Sequence, residues 1–400
     1  MAGPLEGIKV ADFTHQAVGP WGVSLLAQMG ADVIKIEPPE GDGIRYNPPP
    51  YKNGLTTTYQ VMNLSKRATI ILNLRDLRDQ EIARKLVDHC DVLVENHRPG
   101  FLDRRSLGYD DVSKTNPGII YVQSSGYGNR GPYRDMGSVD PYGQAISGFA
   151  STSGALGGLP EGLKQGSHID LTTSQYITAA VTAALFAREM TGRGQKIELS
   201  QMEASIALGT AKAQEYFVSG QNVVPMGSAV QNIAPSEAFR AKDGKWINIS
   251  AIDNSQWAAL CRVLGQVELA KDPRFTSNAK RVENRIELSR TVAGIIAAKG
   301  SEEWLNVLEQ HGVPCGPYLT YNQIRIDPQV KAWEMLVDVE GHWGRLAAGG
   351  LPWRFSMTPG YIARTPYPGH QLPEVLHELG YDPHASATPQ TVRLLNQYGR

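Results

Sequence analysis

Short apolar runs alternate with helical periodicity through the first third of the chain. IKVADFT (8–14) has the length of a strand; a loop, HQAVGP, follows, then WGVSLLAQMG, whose apolar residues recur at helical spacing. ADVIKIE (31–37), ATIILNL (68–74), DVLVENH (91–97) and IIYVQSS (119–125) repeat the strand pattern, and RDQEIARKLVDHC (78–90) the helical one. A short helix is expected around FLDRRSLG (101–108). Near-continuous apolar strands separated by helices describe βαβ units on a parallel sheet buried on both faces.

After Gly126 the texture changes. Residues 126–170 are dense in Gly, Ser and Pro and read as a long loop region. The pattern then predicts a helix from Asp170 through Ala187 that ends at the glycine of TGRGQ, a strand in KIELS, and one long helix through 201–220. A second α/β unit follows, with a strand in KWINISA, helices in SQWAALCRVLG, ENRIELSRTVAGIIAAKG and EEWLNVLEQHG, and a strand in PYLTY (317–321). From Asp327 the tail is rich in Pro and Gly, with one short helix in LPEVLHELG. The expected division is a large domain over 1–200, a linker helix at 201–225, a small domain at 226–325 and a tail at 326–400.

Composition narrows the possibilities. With 41% hydrophobic residues in 400, the chain has ample material for a core. Its 39 Lys+Arg balance 40 Asp+Glu, which argues against nucleic acid or a membrane surface as partner. Cys90, Cys261 and Cys315 are too far apart for a metal knuckle or a disulfide framework and fit a reducing compartment. MAGPLEGIKVADF lacks the blocks of a signal peptide, and the most apolar helical run, 177–187, is too short to span a bilayer. A cytoplasmic protein is expected.

The motifs are weak one by one. Gly126, Gly128 and Gly131 form a GxGxxG string after a strand, but Pro132 and a loop follow where a dinucleotide site needs a helix, so a glycine-rich turn is the better reading. Glu37 closes the second strand where a ribose-binding acid would stand, yet HQAVGP has one glycine, too few for a pyrophosphate's close approach. His89 and His97 flank a strand without metal spacing and read as helix-end and surface residues. His168 and Asp170 would share one side of an extended approach, while Asp170 also reads as the N-cap of the helix after it. Lys66, Arg67, Arg75, Arg98, Arg104 and Arg105 cluster near strand ends, either as solvated surface or as donors for a phosphorylated ligand.

Taken in order, VADFTH…GP, GADVIKIEPPEGD, NLSKR, DVLVENHRPG, LGYDDVSKTNPGIIYVQSSGYG, TGRGQKIELSQMEA and HGVPCGP resemble the class III CoA-transferases. That family includes formyl-CoA transferase and the carnitine and bile-acid CoA-transferases, with α-methylacyl-CoA racemase as a relative. The resemblance covers most of the chain and is weakest between about 221 and 330. It implies an α/β fold: a Rossmann-like parallel-sheet large domain plus a smaller α/β domain, with the linker and tail over 326–400 returning to the large domain and two subunits interlocked in a dimer. A homodimer is expected, with a heteromer containing a paralogous subunit as the alternative. The partners implied are an acyl-CoA and a carboxylic acid acceptor, with no tightly bound cofactor and no metal.

Counting back from TGRGQ, the resemblance implies Asp170 as the nucleophile. It would attack the donor acyl-CoA to give a mixed anhydride, take back the CoA thiolate as an aspartyl-CoA thioester, and repeat the steps in reverse with the acceptor. A helix start would hold this carboxylate ionised. The loop with His15, Ala17 and Val18 would face the developing oxyanion, Ala17 standing where formyl-CoA transferase has Gln, and Asp140 would support Asp170. Leu72, Asn73, Leu74, Arg75, Asn96, His97, Arg98 and Arg104 would cradle CoA, and Pro38 replaces an adenine-stacking Arg of some relatives. Gly227 is what remains of a glycine run that shields the intermediates in formyl-CoA transferase. Val139 stands where the racemase branch has a His base. CoA transfer is therefore expected over racemisation or isomerisation of an acyl-CoA, or a weakly catalytic subunit of a heteromer. Lys164, Gln165 and His168 point to a dicarboxylate donor such as succinyl-CoA.

Overall fold

A computed structural model describes residues 3–46, 50–52, 54–163, 167–341 and 344–382. The apolar runs become β1 (Lys9–Phe13), β2 (Asp32–Glu37), β3 (Ala68–Ile71), β4 (Val92–Glu95), β5 (Ile120–Ser125) and β6 (Gln195–Ser200). They form one six-stranded sheet in the order β3-β2-β1-β4-β5-β6, every pair parallel. Strand order reverses between β1 and β4, and in open sheets of this kind ligands bind at the carboxyl ends beside that reversal.

Alternation along the strands sorts the side chains onto two cores. Val10, Val33, Val92, Val94 and Ile120 pack under Val23 and Leu26 of α1 (Val18–Gln28) on one face. Ala11, Phe13, Ile34, Ile36 and Leu93 pack under Ile82 and Leu86 of α2 (Leu77–Asp88) on the other. The stretch 126–170 is not simply a loop: it contains α3 (Asp140–Ile146). Pro141 and Gly143 disguise this helix, but proline in a first turn forfeits no hydrogen bond. Gly143 has a packing reason, since a Cβ there would lie 3.3 Å from a methyl carbon of Ile169. That methyl belongs to α4 (His168–Thr191), which ends at Gly192 with φ of 69°. Gly194, two residues on, would put a Cβ 2.0 Å from the carbonyl oxygen of Ile119, so the entry to β6 admits glycine alone.

The expected long helix is two, α5 (Gln201–Leu208) and α6 (Thr210–Ser219), interrupted at Gly209, where the poorest helix former after proline stands. The chain forms two compact units, the first drawn from residues up to 149, 163–218 and from 331 on, the second from 150–162 and 219–330.

In the second unit β7 (Ser236–Arg240) and β8 (Trp246–Ser250) pair antiparallel, with α7 (Asn254–Val263), α8 (Arg285–Ile296) and α9 (Ser301–Gln310) over a core around Trp257, Phe239 and Phe275. The last strand of that sheet is β9 (Cys315–Pro317), not PYLTY. Thr320 and Gln323 form a reciprocal capping box that starts a helical turn at Tyr321, so the extended run stops early.

The tail adds to the first unit a hairpin of β10 (Leu336–Gly341) and β11 (Gly344–Gly349) that its Pro/Gly content hides, and α10 (Leu372–Glu378). Leu372, Val375 and Leu376 of α10 complete the core on the α2 face. Among the described residues no helix is long and apolar enough to cross a membrane. All three cysteines are free thiols; burial pushes Cys90 and Cys261 up to about 12.

Candidate active site

The carboxyl ends of β1 to β4 surround a cavity of about 540 Å³. His15, Leu72, Asn73, Leu74, Arg75 and His97 line it, as does Pro38. Asn96, Arg98 and Arg104 are not among the lining residues, whereas Arg105 is. The loop after β3 is shaped by its own asparagine, because Asn73 Oδ1 accepts the Arg75 amide at 3.2 Å while Asp79 Oδ2 accepts the Asn73 amide at 2.7 Å.

Across the strand reversal Asn96 and His15 bond twice. The His15 amide donates to Asn96 Oδ1 at 2.9 Å, and Asn96 Nδ2 donates to the His15 carbonyl at 2.8 Å. Asn96 therefore builds the cavity wall from behind. His15 stacks on His97 at 4.8 Å, His97 on Phe101 at 4.0 Å, and the Arg105 guanidinium lies 3.8 Å over Phe101. His97 is thus not a surface residue. Burial, and then the neighbouring His15, pull it down to about 3, so it presents a neutral aromatic face. Arg105 is lowered by burial and by the nearby cations Arg104 and Arg75; Arg75 and Arg105 line the cavity, and Arg104 stands outside the lining.

Beneath the cavity floor lies a buried charge network. Lys35 Nζ donates to the Thr14 carbonyl at 2.6 Å and pairs with Asp42 at 3.1 Å. Asp42 Oδ1 accepts the amide of Gln16 at 3.0 Å. Glu37, the would-be ribose acid, is instead held by Arg45, by Tyr59 Oη at 2.8 Å and by the Asp42 amide at 2.9 Å. Lys66 also belongs to this network, 2.7 Å from Asp12. Arg67 pairs with Asp32, Glu374 and Glu378. Both cations are paired with carboxylates, and neither lines this cavity.

The loop after β1 reaches two places at once. His15 lines the cavity, and three residues on, the Val18 carbonyl accepts Ser174 Oγ at 2.5 Å. The same hydroxyl also donates to the Asp170 carbonyl, at 2.8 Å. The first turn of α1, with Ala17 at its N-cap and Val18 at its start, is so tied through Ser174 to the turn of α4 that runs from Asp170 to Ser174.

Asp170 is not the N-cap of α4; Ser167 occupies that position and Asp170 sits three residues further on. The backbone donors expected for it go elsewhere. Asp140 Oδ1 accepts the amides of Ile169 at 2.6 Å and Asp170 at 3.1 Å, and Asp140 Oδ2 accepts Gln144 Nε2 at 2.5 Å. Asp170 is hydrogen-bonded by side chains, namely Ser167 and Gln201, whose Nε2 lies 2.5 Å from Oδ1. Burial raises Asp170 to about 6, the Asp140 carboxylate adds to the rise, and the two side-chain donors oppose it. The helix start does not depress it, because its amides already serve Asp140.

Gln201 carried no signal in the sequence beyond membership of SQMEA; it reaches Asp170 because β6 ends beside β5 and turns into α5 there. Val139 is half exposed on the residue before Asp140. Lys164 and Gln165 lie outside the described residues, and His168 opens α4.

A parallel sheet with its cavity at the strand reversal, basic groups at the mouth and a half-buried carboxylate beside the same loop define an enzyme that handles an anionic ligand. The model of CoA-transferase family III matches residues 5–371, and the chain belongs to that family. Acetyl-CoA:oxalate CoA-transferase of Acetobacter aceti is 35% identical over 85% of this chain and 87% of its own length. Human succinyl-CoA:glutarate CoA-transferase is 32% identical over 99% of this chain and 90% of its own. A crystal structure of a CAIB/BAIF family protein from Brucella suis superposes with a TM-score of 0.86 at 32% identity, covering 95% of this chain and all of that one.

Proposed function

We propose that this enzyme moves CoA from an acyl-CoA donor to a second carboxylic acid through Asp170, by way of an aspartyl anhydride and an aspartyl-CoA thioester. The observation that carries the reading is the loop His15–Val18, whose His15 lines the cavity and whose Val18 carbonyl is bonded by Ser174 to the turn of α4 that runs from Asp170 to Ser174. CoA lying over Leu72, Asn73 and Leu74, its phosphates toward Arg75, Arg104 and Arg105, would bring its thioester to that turn. Neutral His97 and His15 offer the pantetheine arm an uncharged wall. Raised to about 6, Asp170 is ionised at neutral pH yet more basic than an exposed aspartate, which favours attack on a thioester carbon.

Succinyl-CoA is the donor we favour, because relatives such as the human succinyl-CoA:glutarate CoA-transferase are named for it. The exposed Phe186, Met190, Phe217 and Val218 support a second copy of the chain as the partner, interlocked with the first.

Incubation with succinyl-CoA, followed by peptide mass spectrometry, should place a CoA or acyl adduct on the peptide containing Asp170. Asp170→Asn should be inactive. An unmodified Asp170 peptide, or normal turnover by that variant, sinks the proposal.

A further inference from the structure

We infer that Gln201 is a catalytic donor, stabilising the oxyanion that forms on the enzyme's own carboxyl carbon. The inference rests on the reading of Asp170 as nucleophile and concerns a different carbon from the substrate's acyl centre, which the His15–Val18 loop would serve.

Gln201 Nε2 lies 2.5 Å from Asp170 Oδ1, and the glutamine is buried at the first position of α5. Its backbone is fixed on both sides. Ser200 Oγ caps α5 by accepting the Glu203 amide at 3.1 Å and donates to the Glu203 carboxylate at 2.7 Å, and the Met202 amide donates to the Gly126 carbonyl at 3.1 Å. Ser200 itself pairs in register with Ser125. The amide is a preorganised donor, not an adaptable surface group.

Following the atoms shows what it does. One Asp170 oxygen adds to the acyl carbon, the C–S bond breaks, CoA leaves as a thiolate, and the attacking oxygen becomes the anhydride bridge. The thiolate then adds to Asp170 Cγ; the carbonyl electron pair moves onto the other oxygen, and the tetrahedral anion collapses by expelling the donor carboxylate together with the bridging oxygen. When the acceptor carboxylate adds to the resulting thioester, charge develops again on that retained oxygen before the thiolate leaves. The oxygen bound by Gln201 is placed to be the retained one. Both charges arise in a half-buried site with Asp140 close by, where an N–H donor counts for more than it does in water. A neutral amide supplies that donor without drawing the resting carboxylate into an ion pair that would blunt it.

The test is rapid-quench measurement of thioester formation on Asp170 from succinyl-CoA without acceptor, in Gln201→Met and Gln201→Glu. The first keeps the volume and removes the donor; the second turns it into an acceptor at neutral pH. Both should form the thioester at least tenfold more slowly, in line with the loss of one oxyanion donor, with KM for succinyl-CoA within about twofold of the parent. A parent-like rate in Gln201→Met, with the adduct still on Asp170, overturns the role of Gln201 alone. A rise in KM that matches the fall in rate assigns Gln201 to shaping the site and overturns the inference as well. Absence of any Asp170 adduct in the unmodified enzyme would remove the nucleophile reading first.

Discussion

Asp140 and Asp170 divide the start of α4 between them. The amides of its first turn point at Asp140, and Asp170 is left with two side-chain donors and a raised affinity for protons. Since Asp170 would react ionised, kcat/KM should fall as pH drops through about 6. Burial is the larger cause of the rise and the Asp140 charge the second, so Asp140→Asn should move that acid limb to lower pH without reaching an ordinary aspartate's range. A pH profile of both proteins decides; an unmoved limb would mean that Asp140 acts on Asp170 only through the backbone. The family resemblance singles out Asp170 by its distance to TGRGQ, but the groups around that carboxylate carried no signal in the sequence. The cap is supplied by a residue thirty positions away, and local spacing cannot report a bond across helices.

At the scale of elements, the strands and the longer helices followed from periodicity, because each buries a regular face. What escaped were pieces too short for a period to show, such as α3 with its Pro141 and Gly143, the Tyr321 turn and the glycine-bearing hairpin β10–β11. Basic residues misled for a related reason. Lys66 beside a strand end could be read as a ligand donor, yet it is buried against Asp12, as Lys35 within β2 is against Asp42. Lys35→Met would leave Asp42 without its cation in the interior and free the Thr14 carbonyl. The cost expected for breaking a buried pair from one side is about 3–5 kcal/mol, read as a lower urea midpoint, and a variant as stable as the parent would show that the network is dispensable to folding. The Gln16 and Thr14 anchors also tie this network to the active-site loop.

Across the whole molecule, charge balance conceals a local concentration of arginine, Arg75 and Arg105 in the cavity lining with Arg104 next to Arg105, sufficient for one small polyanion. Exposed Phe186 at 71%, Met190 at 74%, Phe217 at 73% and Val218 at 79% are costly on a lone chain. Sedimentation at micromolar concentration should therefore give the mass of two chains, and a monomer would contradict the interlocked dimer. The three cysteines bear on the chemistry from another direction. A reaction that sets free a thiolate next to a reactive anhydride is open to interception by any ionised sulfur within the protein. Here Cys90 and Cys261 are sealed in separate cores and Cys315 is half-buried, all three held protonated by burial. Iodoacetamide at neutral pH should alkylate the native chain far more slowly than the unfolded one. Under the proposed mechanism the acyl group in transit would then meet one competent sulfur, the substrate's own, and the enzyme would be protected from acylating itself.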